Sequence, residues 1–173
     1  MNIEKLKAAI RDIPDFPKPG IIFKDITPIL SDPALFRSAV DLLADRHRDK
    51  NIHKIVAIDA RGFLFGGAMC DRLGMGLVPI RKKDKLPYQT YEETYDLEYG
   101  SATLAVHQDA FVQGERVVLV DDLLATGGTA AASVKLIEQA GAEIVEIDFL
   151  MELTFLNGRE KLAGYEIFAP IAF

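Results

Sequence analysis

The feature that most constrains this chain is the stretch RVVLVDDLLATGGTAAASVKLIEQAG, residues Arg116 to Gly141. Its first part is continuously apolar, which is typical of a parallel strand buried on both faces, and it ends in the adjacent acids Asp121 and Asp122. A loop of Thr and Gly follows, and then a helical pattern without charge in its first turn. Ionised carboxylates at the end of an apolar strand are costly unless something pairs with them. The stretch therefore predicts a binding site.

Short apolar runs and helical patterns alternate along the chain. Four runs are strand-like, at residues 54–59, 76–81, 116–121 and 143–152. Helical patterns separate or precede them, at residues 31–50, 62–74 and 128–141. This alternation predicts an α/β fold with right-handed crossovers, in which helices flank an open, mostly parallel sheet. Because such sheets bind ligands at the carboxyl ends of their strands, residues 59–62 and 121–129 are expected to be neighbouring site loops.

Composition limits the remaining possibilities. The chain has 173 residues, of which 49% are hydrophobic, so we expect a single domain over residues 1–173. A net charge of −6 argues against nucleic acid as a partner. Cys70 is the only cysteine, which fits a reducing cytoplasm. The N-terminus has helical spacing from Ile3 to Ile13 without the apolar core of a signal peptide, and no run resembles a membrane span. The three histidines lack ligand spacing and are expected at the surface: His47, His53 and His107.

Two stretches do not fit the alternation of strands and helices. Residues 14–30 carry four prolines around the apolar triplet IIF, which predicts an ordered excursion with a short extended segment. Residues 82–95 are too polar to bury and too long for a simple hairpin. Loops of that length are usually functional, so we predict a mobile lid there.

The segment DDLLATGGT has the chemistry of a sugar phosphate site. Its Thr and Gly turn can direct backbone N–H groups inward, and the following helix adds the positive end of its dipole, so a phosphate dianion fits. The pattern is neither the mononucleotide P-loop nor the dinucleotide fingerprint. Carboxylates beside it would repel further phosphate but accept hydrogen bonds from sugar hydroxyls, which favours a ribose 5-phosphate over a triphosphate. The alternative is a Gly-rich turn whose acids only cap the helix. The residues of this predicted site are Asp121, Asp122, Ala125, Thr126, Gly127, Gly128 and Thr129.

The segment VVLVDDLLATGGT resembles the phosphoribosyl pyrophosphate motif of the type I phosphoribosyltransferases. FPKPGIIFKDITPIL, DARGFLFG, PIRKKDKLP, YDLEYG and ELTFLNGREKL resemble that family in the same order, so the resemblance covers nearly the whole chain. The DDLLATGGT form is that of the members that use adenine. The resemblance implies the type I fold, with a small hood near residues 14–30 and 150–173 and a flexible lid loop over residues 82–95.

The same resemblance implies a reaction in purine salvage. Adenine and phosphoribosyl pyrophosphate would give AMP and pyrophosphate, with Mg²⁺ bound mainly through the substrate and to Asp121 through a water molecule. A homodimer is also implied. Alternatives remain in a related enzyme for hypoxanthine, guanine, xanthine or orotate, and in a non-catalytic regulator that senses phosphoribosyl pyrophosphate.

The pyrophosphate leaving group needs positive charge and backbone donors. The resemblance places them in the turn after the first buried strand, often with a non-proline cis peptide, and in the basic run RKKDK. We therefore expect a backbone outlier between residues 59 and 61. The predicted pyrophosphate residues are Ala60, Arg61, Arg81, Lys82 and Lys85. A solvated loop is the alternative for the lysines of the run.

The base and the proton transfer are assigned by the resemblance alone. It implies that Phe23 stacks on adenine, that the Ile22 carbonyl accepts from the 6-amino group, that the Lys24 N–H donates to N1, and that Leu153 walls the pocket. The catalytic residues would be Glu98, which handles the proton at N7, Tyr99, which helps to close the site, and Arg61. From the residues alone, the alternatives are that IIF is core and that Glu98 is an exposed strand residue.

Overall fold

The computed structural model describes residues 3–97 and 100–173 of the chain. The helices are α1 (Ile3–Ala9), α2 (Thr27–Ser31), α3 (Pro33–Ala44), α4 (Gly62–Leu73) and α5 (Gly128–Gln139). The strands are β1 (Arg11–Pro14), β2 (Ile22–Asp25), β3 (Lys54–Ile58), β4 (Gly76–Lys82), β5 (Thr90–Asp96), β6 (Ser101–His107), β7 (Arg116–Leu124), β8 (Glu143–Glu152), β9 (Ile167–Phe168) and β10 (Ile171–Ala172). Short 3-10 helices span Asp45–His47, Thr154–Leu156 and Gly158–Leu162. No helix among these residues is long and apolar enough to cross a membrane.

The main sheet has the strand order β10-β8-β7-β3-β4-β6-β5, and β9 also pairs with β8. All pairs from β10 to β4 are parallel, whereas β4 with β6 and β6 with β5 are antiparallel. The prediction of an open, mostly parallel sheet flanked by helices is confirmed. It holds because β3 and β7 are apolar on both faces and can be buried only between two layers.

Alternate side chains of β7 pack into two separate cores. Val118 and Val120 belong to a cluster with Phe65 of α4 and residues of α3. Val117 and Leu119 belong to a second cluster with residues of α5. Successive side chains of a strand point to opposite faces, so α3 and α4 cover one face of the sheet and α5 covers the other.

Local signals set the helix boundaries. The predicted N-terminal helix ends at Ala9 instead of continuing to Ile13, because β1 begins at Arg11. The helix predicted over residues 31–50 is α3, which is shorter. Asp32 caps its start by accepting from the Ala34 and Leu35 N–H groups at 2.8 and 2.9 Å, and it ends at Ala44.

The hood expected near residues 14–30 contains a hairpin outside the main sheet. Strands β1 and β2 pair with each other in antiparallel fashion, with Ile13 opposite Phe23. The C-terminal segment does not add a strand to this hairpin, because β9 and β10 pair with β8 in the main sheet. It reaches the hairpin through its last residue, as the Lys24 ammonium lies 3.9 Å from the centre of the Phe173 ring.

The segment predicted as a loop over residues 82–95 is a loop from residue 83 to residue 89 and ends in a strand. β5 covers residues 90–96 and pairs with β6 from Thr90 opposite His107 to Asp96 opposite Ser101. The prediction of a loop is wrong only for its second half, where a polar segment forms a strand that buries one face. Tyr91, Glu93 and Tyr95 are half-buried against α5, and the side chains between them are exposed.

His47 is buried, so its predicted place at the surface is wrong. Its Nε2 lies 2.6 Å from Oδ2 of Asp148, and both residues are fully buried. The neighbouring Glu146 is also fully buried and accepts from Arg46 and Lys50. Burial alone would raise the pKa of Glu146, but these two cations outweigh it and leave the pKa below its usual value. His53 is exposed, as expected, and His107 is half-buried.

We expect Glu146→Gln to lower the free energy of unfolding by about 2 kcal/mol or more, because it leaves two partly buried cations without their carboxylate. Since the folded pKa of Glu146 is lowered, its contribution is complete above the unfolded pKa and is lost as the pH falls through the folded pKa. Urea denaturation between neutral and acidic pH measures both effects.

The matched control is Glu143→Gln on the same strand. Glu143 pairs with Arg116 at 2.8 Å, but its side chain is 60% exposed, so the loss should stay below about 1 kcal/mol. Equal losses in the two variants at neutral pH would contradict a structural role for the buried carboxylate.

Candidate active site

The two site loops predicted from the sequence meet at one edge of the sheet. β3 and β7 are adjacent and parallel, with Ala57 opposite Val120, so their carboxyl ends lie side by side. The turn 59–61 joins β3 to α4, and residues 125–127 join β7 to α5. β7 itself continues through both acids to Leu124. This arrangement brings Arg61, in the turn after β3, next to the paired acids of β7.

The loop after β7 has the form of an anion site. Gly127 adopts the left-handed conformation with φ 78°, and no side chain caps the N-terminus of α5. The first N–H groups of the helix are therefore available to a ligand, and the helix dipole favours a negative charge there. A cavity of about 190 Å³ lies at this point. Its lining includes every residue of the predicted ribose phosphate site together with Arg61, Leu123, Leu124, Ala130 and Phe149.

The paired acids are in different electrostatic states. Asp122 is buried, and its Oδ2 accepts from Nε of Arg61 at 2.6 Å. Asp121 has no cation at that distance among the described residues. Burial and the neighbouring carboxylate of Asp122 raise the pKa of Asp121 well above its usual range. The site therefore has one compensated carboxylate and one that a hydrogen-bond donor or a cation would stabilise.

A second cavity, of about 300 Å³, adjoins the first and contains part of the predicted pyrophosphate set. Its lining is Asp59, Ala60, Arg61, Lys82, Tyr95, Leu104, Asp121, Asp122 and Thr129. The predicted backbone outlier is confirmed, as the peptide bond between Asp59 and Ala60 is cis. The turn also passes close to β7: a Cβ added to Gly62 would lie 2.8 Å from the carbonyl oxygen of Val120.

Two residues of the predicted pyrophosphate set lie outside the described cavities. Nε of Arg81 donates to Asp59 at 3.0 Å, and its Nη1 donates to the carbonyl of Lys85 at 3.1 Å. The Lys85 side chain is exposed. Arg81 thus braces the turn after β3 from the neighbouring strand, and the structure brings Ala60, Arg61 and Lys82, but not Lys85, to the cavity.

The residues predicted to bind the base are divided between two places. Ile22, Lys24 and Leu153 line an apolar cavity of about 660 Å³. It also reaches Thr126 of the phosphate loop, the name given to residues 125–129 for their predicted ligand. Phe23 is not in that lining. Its ring centre lies 5.3 Å from that of Phe16 and 5.5 Å from the guanidinium carbon of Arg61. This division follows from the alternation of side chains along β2.

Glu98 and Tyr99 lie outside the described residues. Their assigned roles remain predictions. The strands that lead to them are described: β5 ends at Asp96, and β6 begins at Ser101.

The sequence did not predict two contacts of the phosphate loop, one with Gly158 and one with Tyr95 of β5. A Cβ added to Gly127 would lie 2.4 Å from the carbonyl oxygen of Gly158, and one added to Gly158 would lie 2.2 Å from that of Ala125. The hydroxyl of Tyr95 lies 3.0 Å from Oγ1 of Thr129. The Asn-Gly pair at residues 157–158 is a turn signal, but sequence alone does not say which loop it touches.

The described residues hold one other close group of potential metal ligands, formed by His47, Glu146 and Asp148. It is not part of this site. Arg46 and Lys50 already occupy the carboxylate of Glu146. A metal ion would therefore have to displace two cations, and the group is better described as a buried ionic cluster.

The fold and the anion loop beside paired acids define the class of protein. The family of the phosphoribosyl transferase domain matches residues 25–162. The adenine phosphoribosyltransferase of Geotalea daltonii is 53% identical over 99% of this chain and 100% of its own length.

Solved structures agree with the sequence match. The crystal structure of adenine phosphoribosyltransferase from Thermoanaerobacter pseudethanolicus is 52% identical, with a TM-score of 0.96 over 99% of this chain and 100% of that one. The Saccharomyces cerevisiae enzyme, complexed with adenine and D-2,5-dideoxy-2,5-imino-altritol 1,6-bisphosphate, is 40% identical, with a TM-score of 0.92 over 98% of each chain. The chain belongs to the adenine phosphoribosyltransferase family, and it is a transferase.

The contact between the phosphate loop and Gly158 can be tested with a glycine pair. Gly127 and Gly114 both have φ 78°, but an added Cβ meets nothing within 4 Å at Gly114. Gly114→Ala should cost about 1 kcal/mol from backbone conformation alone. Gly127→Ala should cost about 1–3 kcal/mol more, because the loop must move away from Gly158. Denaturant unfolding measures both, and equal losses would rule out the close contact.

Proposed function

We propose that this chain transfers the 5-phosphoribosyl group of phosphoribosyl pyrophosphate to adenine, giving AMP and pyrophosphate. N9 of adenine bonds to C1 of the ribose as the bond from C1 to the pyrophosphate oxygen breaks. The electron pair leaves with the pyrophosphate, and the base gives up one proton. The observation that carries this proposal is the convergence of the phosphate loop, the acids Asp121 and Asp122, and Arg61 at two adjoining cavities.

The phosphate loop and the acids divide the sugar phosphate between them. Residues 125–129 supply backbone N–H groups and two Thr hydroxyls to the 5-phosphate. The carboxylates accept hydrogen bonds from the ribose hydroxyls, which stabilise the charge of Asp121, whose pKa burial and Asp122 otherwise raise. This role explains why acids that repel each other stand together at an apolar strand end.

The pyrophosphate belongs in the second cavity. Ala60, Arg61 and Lys82 line it, and Arg81 holds the turn through Asp59. Positive charge and backbone donors aimed at the leaving oxygens stabilise the charge that develops as the bond at C1 breaks. Arg61 must exchange part of its contact with Asp122 for the substrate, so substrate and acid share one guanidinium.

The base belongs on the face of β2 that carries Phe23, close to Arg61. The cavity lined by Ile22, Lys24 and Leu153 lies on the opposite face of that strand and adjoins the phosphate loop at Thr126. The main chain of Ile22 and Lys24 supplies an acceptor for the 6-amino group and a donor for N1. The Phe23 ring, on the other face of the strand and close to Arg61, is the proposed stacking surface. A 6-oxo purine would place its carbonyl against the Ile22 carbonyl, with both acceptors unpaired.

Mg²⁺ fits the donors of this site. Two carboxylates lie at the ribose cavity, and the raised pKa of Asp121 marks it as a group that a cation would stabilise. Oxygen donors suit Mg²⁺, which usually keeps several waters and binds through substrate phosphates. Asp121 would hold the ion through a water molecule, and the ion would neutralise part of the diphosphate charge.

The proposal also covers the domain organisation, the location and the oligomeric state of the enzyme. The chain acts as a single domain with a hood and a closing segment, works in the cytoplasm, and forms a homodimer. Glu98 transfers the proton at N7 of the base, and Tyr99 helps to close the site. Purine salvage is the process that uses this reaction.

A base panel tests the function. The protein is incubated with Mg²⁺, phosphoribosyl pyrophosphate and one base at a time, and pyrophosphate release is measured against a reaction without base. Adenine should support turnover, and hypoxanthine, guanine, xanthine and orotate should each be slower by about 10²-fold or more, because they leave buried polar groups unpaired. Preference for any of these other bases would overturn the assignment of adenine. Binding of phosphoribosyl pyrophosphate without turnover of any base would favour a regulator.

A further inference from the structure

Tyr95 of β5 reaches across to the phosphate loop. Its hydroxyl lies 3.0 Å from Oγ1 of Thr129, in the first turn of α5. Its ring also lies against the start of that helix, since a Cβ added to Gly128 would lie 3.4 Å from a Tyr95 ring carbon. Tyr95 is therefore in contact with the loop that holds the proposed 5-phosphate, although it comes from a separate part of the sheet.

The hairpin of β5 and β6 holds Tyr95 in this position. Tyr91, Glu93 and Tyr95 share the face of β5 that is half-buried. On that face Glu93 accepts from Nζ of Lys135 at 2.7 Å, which ties the strand to α5 beyond the phosphate loop. Tyr95 also lines the 300 Å³ cavity beside the paired acids. The contacts of β5 with α5 therefore hold the Tyr95 ring in place, with its hydroxyl at Thr129.

A threonine hydroxyl has one proton and can both donate and accept. If Tyr95 donates to Oγ1 of Thr129, the proton of Thr129 stays free for an acceptor in the cavity. A phosphate oxygen is such an acceptor, and it accepts only. A hydrogen bond from Tyr95 to Thr129 therefore orients the Thr129 hydroxyl, so that its proton points to the phosphate.

We propose that Tyr95 is a positioning residue for the phosphate end of the site, which holds the Thr129 hydroxyl as a donor to the 5-phosphate. This inference rests on the proposed function, because it takes the phosphate loop as the site of that group. It assigns Tyr95 no direct part in the reaction at C1, so binding of the sugar phosphate depends on it and the chemical step does not.

The first test compares Tyr95→Phe with Tyr91→Phe. Tyr91 lies on the same face of the same strand, and its hydroxyl has no hydrogen bond within the described part of the chain. Tyr95→Phe should weaken binding of ribose 5-phosphate, measured by calorimetry, by about 3- to 10-fold, and should raise KM for phosphoribosyl pyrophosphate similarly. The values of kcat and KM for adenine should stay within error, Tm should fall by no more than about 4 °C for the one lost hydrogen bond, and Tyr91→Phe should change none of these quantities.

The second test places Tyr95→Phe in the background of Thr129→Val, which removes the inner hydroxyl. The two losses should not add, because Tyr95 acts through Thr129. Full additivity would overturn this route, and so would unchanged affinity in Tyr95→Phe. A fall in kcat together with a fall in Tm of more than about 4 °C would show a merely structural role and also overturn it. These results are distinct from failure of the proposed function, in which the unaltered protein itself would neither bind ribose 5-phosphate nor form AMP.

Discussion

The ion pair between Arg61 and Asp122 is the interaction on which the site depends. It joins the turn after β3 to the end of β7, with Nε of Arg61 2.6 Å from Oδ2 of Asp122. Without this cation, adjacent carboxylates would stand uncompensated at the end of a buried strand. With it, only Asp121 keeps an unfavourable charge, and its pKa is raised by burial and by Asp122. A ligand therefore has to stabilise the charge of only one carboxylate, that of Asp121, which lines the cavity.

The backbone around this pair is held from several sides. Because Gly62 has no side chain, the start of α4 lies close to Val120, and Gly158 packs against Gly127 of the phosphate loop in the same way. On the side of β5, the Tyr95 hydroxyl contacts Thr129 of that loop. A site that must bind a dianion and release two charged products needs donors whose positions are fixed before the ligand arrives. Contacts between main-chain atoms supply that rigidity with few side chains.

Much of the site could be predicted because its signals are local. The apolar run, the acids, the Thr-Gly-Gly-Thr loop and the helix follow one another within residues 116–141, and they fold into β7, the phosphate loop and α5 as expected. The resemblance to a family supplied what local chemistry could not, including the cis peptide after Asp59. The division of Phe23 from Ile22 and Lys24 also follows from the alternation of a strand once β2 is assigned.

The remaining features depend on contacts distant in sequence. His47 is buried by Asp148, which lies 101 residues later, so no pattern around the histidine predicts its burial. β5 contains an alternation of half-buried and exposed residues, but its half-buried face includes Glu93, whose partner is Lys135 of α5. A polar strand covered on one side by a helix looks like a loop until that helix is placed. The contact of Gly158 with Gly127 is likewise tertiary.

The most direct test of the account is the affinity for phosphoribosyl pyrophosphate of the double variant Asp121→Asn with Asp122→Asn. Calorimetry in the presence of Mg²⁺ should show a loss of at least about 100-fold, because two charge-assisted hydrogen bonds to the ribose are removed. Circular dichroism should show the domain still folded. Unchanged affinity in a folded double variant would mean that the paired acids do not hold the ribose, and it would contradict the central claim.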